Sequence, residues 1–188
     1  VRGEILQLKE AMNTMVDHYK AKAERGESPF TAKTPRVLIS GVPMGIGSDK
    51  VARILEESGA SVVGFENCTG YKQVFTVEKA DDSMDDQMDV LARQYLSIPC
   101  SVMSPNQGRL DLLDSMIGNF QVDGVIDLTW QACHTYNVES FSVEKWLKEN
   151  EKNMLSFQNS AEGFMALKLG KIDAYSQDAQ IMAAVADK

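Results

Sequence analysis

Short apolar runs alternate with amphipathic stretches over most of the chain. Four of these runs have the length and composition of strands and are bounded by turn residues: 36–40, 61–65, 97–103 and 122–128. Apolar side chains at three- and four-residue steps predict helices between and after them, at about 49–58, ending near 95, and at about 108–120 and 141–150. This order of strands and helices favours an α/β domain with a parallel sheet and helices on both faces.

The two ends of the chain extend beyond this alternating part. An amphipathic helix is predicted for residues 3–24, and with its polar connector it forms the segment 1–35. His18 lies on this helix, where a structural or surface role is expected. The α/β domain then covers residues 36–150. The segment 151–188 is less regular, and its pattern favours a helix, a fifth strand and a last helix, at residues 161–169, 171–175 and 181–186.

Length, charge and cysteine content narrow the class of protein. A chain of 188 residues is long enough to bury one hydrophobic core, and its net charge of -8 argues against a nucleic-acid partner held by phosphate contacts. No apolar run approaches the ~20 residues that span a bilayer, and no signal peptide is visible. Three cysteines cannot form a closed disulfide framework, so a reducing cytoplasm is expected.

All three cysteines lie close to predicted strands. Cys68 and Cys133 come just after strand ends, whereas Cys100 lies near the start or middle of its strand. Because the carboxyl ends of parallel strands share one edge of a sheet, loops that are distant in sequence meet there. Three thiolates with one open position suit an iron–sulfur cluster, and three thiolates with His134 could hold zinc. A catalytic thiol, or three buried cysteines that only fill the core, are the alternatives.

The turn after the first strand is rich in glycine and leads into a helix. Free backbone N–H groups at a helix N-terminus favour anions, and Lys50 could add a positive charge to a phosphate. The turn has neither the P-loop pattern nor the dinucleotide-binding spacing, so a tight strand-to-helix turn is an equal alternative. Its candidate anion-binding residues are Gly41, Gly45, Gly47 and Lys50.

Charged side chains near the other turns are further candidates. Arg109, with Asn106 nearby, lies close to the start of a predicted helix, where it could clamp a carboxylate or phosphate or simply be solvated. Glu66 ends the second strand and could serve as a base, cap a helix or form an ion pair. The acidic residues at 81–89 are expected to form a solvated face.

Four motifs within residues 36–145 resemble one known family. In chain order they are GVPMGIGSDKV at 41–51, ENCTG at 66–70, YLSIPCSVMSPN at 95–106, and DGVID with CHTYNVE between 123 and 139. Together they resemble the 2-hydroxyacyl-CoA dehydratase and benzoyl-CoA reductase family, in its D-component type, and look most like the double-cubane-cluster reductases. Four motifs in the same order make the resemblance specific.

The resemblance implies a flavodoxin-like open sheet and an iron–sulfur function. Members of the family contain two similar domains with the cluster chemistry between them, and this chain is similar to the second domain alone. Its share of the ligands would be Cys68, Cys100 and Cys133, which would hold a 4Fe–4S cluster or part of an 8Fe–9S double-cubane cluster. An isolated domain, with half of the ligands, could lose the cluster.

Partners and further site residues follow from the same resemblance. A separate ATP-hydrolysing iron–sulfur activator would deliver a low-potential electron, and a missing N-terminal domain or a homologous subunit, in a dimer, would complete the site. His134 and Glu66 are the candidate catalytic residues of an anaerobic, cytoplasmic reductase or dehydratase. The side chains expected to hydrogen-bond the cluster or the substrate are those of Tyr136, Asn137, Asn106 and Arg109.

The segment 151–188 favours a second interpretation. It echoes the family only in part, and residues 161–175 look like the end of an extracytoplasmic amino-acid-binding protein. A non-catalytic α/β ligand-binding module is therefore the alternative function, and a zinc-bearing or thiol-redox domain is a third.

Overall fold

The computed structural model describes residues 2–81, 83–130 and 132–150. It divides the chain into two compact units, Val1–Thr34 and Pro35–Lys188. The first unit contains one long helix, α1 (Arg2–Glu24), which confirms the helix predicted there. Apolar residues recur along α1 at three- and four-residue steps, and these are each more than half exposed: Ile5, Leu8, Met12, Met15 and Tyr19.

The second unit is built on a parallel sheet of three described strands. These are β1 (Arg36–Gly41), β2 (Ser61–Glu66) and β3 (Gly124–Leu128), and β1 lies between the other two. Both pairings of β1 are parallel, so the prediction of an α/β fold with an open parallel sheet is confirmed. The carboxyl ends of the three strands therefore lie along one edge.

Helices connect and cover these strands. They are α2 (Lys50–Glu57), α3 (Met84–Leu96), α4 (Gln107–Asn119) and α5 (His134–Glu149), and a short 3-10 helix occupies Tyr71–Gln73. Gly59, with φ of 94°, ends the α2 segment as its position suggested. Among the helices that the structure describes, none is both long and apolar enough to cross a membrane.

Side chains of the sheet alternate between two hydrophobic clusters. Val37 and Ile39 of β1 pack with Val51 and Leu55 of α2, whereas the intervening Leu38 belongs to the opposite face. Successive residues of a strand point to opposite sides, which explains the split. The second cluster is completed by residues of α4 and α5, namely Leu112, Leu113, Met116, Val143 and Leu147.

Residues 97–103 do not form the strand predicted for them. Ser97 ends α3, and the chain then folds into local turns in which the N–H of Cys100 donates to the carbonyl of Ile98 at 2.8 Å. Pro99 has no backbone N–H to donate to a sheet, so apolar composition was misleading here. Cys100 therefore lies in the loop between α3 and α4.

The last described helix begins earlier than predicted. It was expected at 141–150, but α5 begins at His134 and directly follows Cys133. Polar residues such as Asn137 and Ser140 in its first turns hid the helical pattern. The elements predicted at 161–169, 171–175 and 181–186 lie outside the described residues.

Gly41 joins the central strand to its neighbour at the carboxyl edge. Its φ is 110°, and a Cβ atom built there would lie 2.1 Å from the carbonyl oxygen of Leu128 in β3. The N–H of the next residue, Val42, donates to that same oxygen at 2.9 Å. The sheet edge therefore requires glycine at this position for both conformation and space.

We expect the substitution Gly41→Ala to lower the free energy of unfolding by about 3 kcal/mol or more, because it adds backbone strain to a clash with rigid backbone. Urea unfolding followed by circular dichroism measures the change. The control is Gly118→Ala in α4, where a Cβ atom would meet nothing within 4 Å. It should leave stability unchanged or raise it by about 0.5 kcal/mol. Equal effects of the two substitutions would contradict the prediction.

Candidate functional site

A row of polar side chains crosses the three strands near their carboxyl ends. Ser40 of β1 is in register with Glu66 of β2 and with Asp127 of β3. All three are buried, with exposures of 0%, 0% and 4%. In a parallel sheet, residues in register share a face, so the row lies on the side covered by α4.

Arg109 covers this row from α4 and is itself fully buried. Its Nε and Nη2 both lie 3.2 Å from Oε2 of Glu66, and Nη2 is 3.5 Å from Oδ1 of Asp127. Nη2 also donates to the hydroxyl of Ser40 at 3.0 Å, and that hydroxyl donates to Glu66 at 2.6 Å. A planar guanidinium with five donors is suited to join several acceptors in this way.

Lys72 supplies a second buried cation on the other side of Glu66. Its side chain is fully buried in the 3-10 helix, and Nζ lies 2.7 Å from Oε1 of Glu66. The geometry is that of an ion pair without a well-directed hydrogen bond, since neither atom has a hydrogen-bond partner within the described part of the chain. The two oxygens of Glu66 are thus divided between Lys72 and Arg109.

Burial and pairing shift the proton affinities of these groups. Burial works to lower the pKa of Arg109, but the carboxylates of Glu66 and Asp127 outweigh it, and the pKa is raised. Burial raises the pKa of Asp127, although hydrogen bonds from Ser140 and the charge of Arg109 oppose this. The guanidinium is therefore a permanent charge, and Asp127 takes up a proton more readily than an exposed aspartate does.

Tyr136 connects this charged cluster to a thiol. Its ring centroid is 5.1 Å from the guanidinium carbon of Arg109 and 5.6 Å from Nζ of Lys72. Its hydroxyl lies 3.4 Å from Sγ of Cys68. Burial, followed by the hydrogen bond with Cys68, raises the pKa of Tyr136 well above its usual value. The phenol therefore keeps its proton and can donate a hydrogen bond to the sulfur.

The loops of all three cysteines are attached to the start of α5. Cys133 directly precedes its first residue, and Cys68 meets Tyr136 one turn further on. Asn106 donates to the carbonyl of Cys100 at 2.8 Å and to Oε2 of Glu139 at 2.9 Å. Glu139 also pairs with Arg109 at 3.4 Å. One helix thus organises the three loops that the sequence predicted to converge.

The three thiols are chemically suited to an iron–sulfur cluster. Cys68, Cys100 and Cys133 are all free and half-buried, and soft thiolates are the ligands that such clusters use. No group of three or more His, Cys, Asp or Glu residues in the described ranges could hold a single metal ion. A zinc ion shared by these cysteines and exposed His134 is therefore not supported. An iron–sulfur cluster does not need all three thiolates on one metal ion, because each thiolate binds a different iron atom.

Backbone carbonyl groups of the glycine-rich turn hold the Cys68 loop. The side-chain amide of Asn67 donates to the carbonyl of Val42, and the hydroxyl of Thr69 donates to that of Met44, both at 3.3 Å. Within the turn, the N–H of Gly45 donates to the hydroxyl of Ser48 at 2.7 Å and is not free for an anion. Gly47 is exposed and Lys50 is half-buried, so anion binding stays a prediction.

Sequence reasoning missed several members of this cluster. Ser40 and Asp127 are polar residues inside otherwise apolar strands, and that irregularity was a usable signal. Lys72 follows Cys68 by four residues but has no pattern that distinguishes it from a surface lysine. Glu139 is the last residue of the motif CHTYNVE, and nothing in its position there indicates an ion pair. His134 and Asn137, which were predicted as site residues, lie exposed in the first turn of α5.

The raised pKa of Asp127 gives a testable pH dependence. A carboxyl whose pKa is higher in the folded than in the unfolded chain lowers the free energy of unfolding as pH rises above about 4. Asp127→Asn removes this contribution to the free energy of unfolding. The substitution should therefore destabilise the protein less at pH 7 than at pH 4, as measured by denaturant unfolding at the two pH values. Ser140→Ala, which removes a hydrogen bond that opposes the shift, should have the opposite effect on the slope. A pH dependence unchanged in both variants would contradict this.

The chain is similar in sequence to known proteins over most of its length. The profile of the family described as 2-hydroxyglutaryl-CoA dehydratase, D-component, matches residues 5–162. A protein of Escherichia coli (strain K12), named as candidate dehydratase subunit YjiM, is 42% identical over 143 residues, which are 75% of this chain and 37% of that protein. The chain spans little more than a third of the length of that relative. The family match and this identity show that the chain belongs to the 2-hydroxyglutaryl-CoA dehydratase D-component family.

Proposed function

We propose that this chain supplies Cys68, Cys100 and Cys133 as ligands of an iron–sulfur cluster in a 2-hydroxyacyl-CoA dehydratase or a related ATP-activated, low-potential reductase. The observation that carries the proposal is the attachment of all three cysteine loops to the first turns of α5. Family membership supports the reaction class. The cluster would be of the 4Fe–4S or the double-cubane 8Fe–9S type.

The cluster, when bound, would supply low-potential electron transfer, and the side chains around it would position and tune it. Tyr136 would donate a hydrogen bond to the Cys68 sulfur, and Asn106 would hold the Cys100 loop. Of the two candidate acid–base residues, exposed His134 beside Cys133 is accessible to a substrate. Glu66 is already engaged by Lys72, Arg109 and Ser40, so a positioning role suits it better than proton transfer.

The site would be completed by another domain or subunit. Large apolar side chains next to the cysteines are exposed, among them Val102 (68%), Trp130 (46%) and Val138 (71%). Exposed apolar side chains of this size are frequent at contact surfaces. We propose that an N-terminal domain or a homologous subunit, in a dimer, covers them and provides further ligands. A separate ATP-dependent activator protein would deliver electrons, in the cytoplasm and in the absence of oxygen.

Anaerobic reconstitution tests the ligand assignment. The chain, purified without oxygen and mixed with iron, sulfide and a homologous subunit, should bind both elements and become coloured. Cys68→Ser, Cys100→Ser and Cys133→Ser should each lower the iron and sulfide content by more than about half, because each removes a ligand. Ser101→Ala, next to Cys100, is the matched control and should keep the full content. Iron-free wild-type protein in the presence of the partner would refute the proposal.

The hydroxyl of Tyr136 should tune the cluster. Tyr136→Phe keeps the ring and its contacts with the two cations but removes the hydrogen bond to the Cys68 sulfur. Because hydrogen bonds to sulfur stabilise the reduced, more negative cluster, the variant should bind iron normally and show a lower reduction potential. Electron paramagnetic resonance during a redox titration measures it. Tyr95→Phe, at a residue that is 65% exposed, is the control and should not move the potential.

A further inference from the structure

Lys72 is a buried cation in the loop that carries Cys68. It lies four residues after Cys68, and its side chain has no exposed surface. Its ammonium group has one charged neighbour among the described residues, the Oε1 atom of Glu66 at 2.7 Å. Glu66 ends β2, and Lys72 lies in the 3-10 helix that follows the loop of residues 67–70. This ion pair therefore closes the loop at its two ends.

Neutral contacts hold the rest of the loop. Gly70 lies so close to β2 that a Cβ atom there would be 2.2 Å from the carbonyl oxygen of Phe65. The side-chain oxygen of Asn67 accepts hydrogen bonds from the backbone and the hydroxyl of Thr69, both at 3.1 Å. These contacts shape the loop on the side before Lys72. The ion pair with Glu66 is the charged contact that fixes this loop to the end of β2, next to the packing of Tyr71 on Phe120.

The cost of burying this charge indicates a positional role. Moving an ammonium ion out of water costs several kcal/mol, and a single ion pair without further hydrogen bonds recovers only part of it. A methionine of similar length would fill the same space without that cost. A buried ion pair, however, has one favourable geometry, whereas apolar contacts tolerate sliding. Lys72 therefore contributes less to stability than an apolar residue would, but it favours one position of the loop.

We infer that Lys72 is a positioning residue that holds the Cys68 sulfur against Tyr136. Nζ of Lys72 lies 5.6 Å from the centre of the Tyr136 ring, and the hydroxyl of the same ring lies 3.4 Å from the Cys68 sulfur. Lys72 thus acts on both residues of this pair. It is linked to Cys68 through the loop and lies against the ring of Tyr136. That this arrangement presents Cys68 as a ligand rests on the proposed function. The position of the Cys68 sulfur against Tyr136 does not depend on it.

Alkylation of the full chain in its reduced, metal-free form tests the inference. The three cysteines fall on separate tryptic peptides, so mass spectrometry after timed iodoacetamide treatment gives a rate for each. The variant Lys72→Met should raise the rate at Cys68 by about tenfold, through local opening of its loop, and leave the other two rates unchanged. Lys72→Arg keeps the charge and should stay close to the wild-type rate. Lys148→Met is the control, since it removes an exposed ion pair of 2.6 Å.

The variant Lys72→Gln covers the case in which Lys72→Met does not fold. It removes the charge but keeps a hydrogen-bond donor for Oε1 of Glu66, and Arg109 still neutralises that carboxylate, so the variant should fold and show the same selective increase at Cys68. Rates at Cys68 within twofold of wild type in the folded variant would overturn the inference, as would an equal increase at all three cysteines or a Lys72→Arg protein that behaves like Lys72→Met. This readout needs no cluster, so its failure is distinct from a failure of reconstitution.

Discussion

The site depends on the two ion pairs that Glu66 forms. One oxygen binds Lys72 at 2.7 Å and the other binds Arg109 at 3.2 Å. All three side chains are fully buried, so removal of any one leaves a charge in a medium that solvates it poorly, at a cost of about 3–5 kcal/mol. The carboxylate can be buried only when the Cys68 loop and α4 are both in place. The strand end, the loop and the helix must therefore assemble together.

This constraint explains why α5 can organise three distant loops. Its first turns are not held by apolar packing alone, because Glu139 binds Arg109 and the Tyr136 ring lies against both buried cations. Further along, Val143 and Leu147 belong to the hydrophobic cluster shared with α4. The helix is thus fixed at one end by charge and at the other by apolar burial. Cysteines tied to its first turns have a defined position although they lie in loops.

The sequence was sufficient for the fold class but not for the charged cluster, and the role of the three cysteines stays a prediction. Strands of the parallel sheet are apolar runs, and their periodicity is local information. The ion pairs of Arg109 join residues that are up to 43 positions apart, as with Glu66, and no local pattern reports such a pairing. The strand expected at 97–103 failed for a local reason, because Pro99 breaks the hydrogen-bonding pattern that its apolar neighbours suggested. The start of α5 was missed because residues that serve the site replaced the apolar stripe.

The balance of charge in the cluster bears on its relation to the thiols. Glu66 and Asp127 face Arg109 and Lys72, and burial favours the neutral form of Asp127. Three carboxylates, those of Glu66, Asp127 and the partly exposed Glu139, lie against the two cations, so each buried cation has a carboxylate partner. The chain as a whole carries a net charge of -8, so the presence of two fully buried cations is not a consequence of composition. Both cations lie near the Tyr136 ring, at 5.1 Å and 5.6 Å from its centre, and the hydroxyl of that ring lies 3.4 Å from the Cys68 sulfur. Buried positive charge at this place would favour the anionic sulfur of the proposed cluster, whereas apolar residues of similar volume would stabilise a core at least as well.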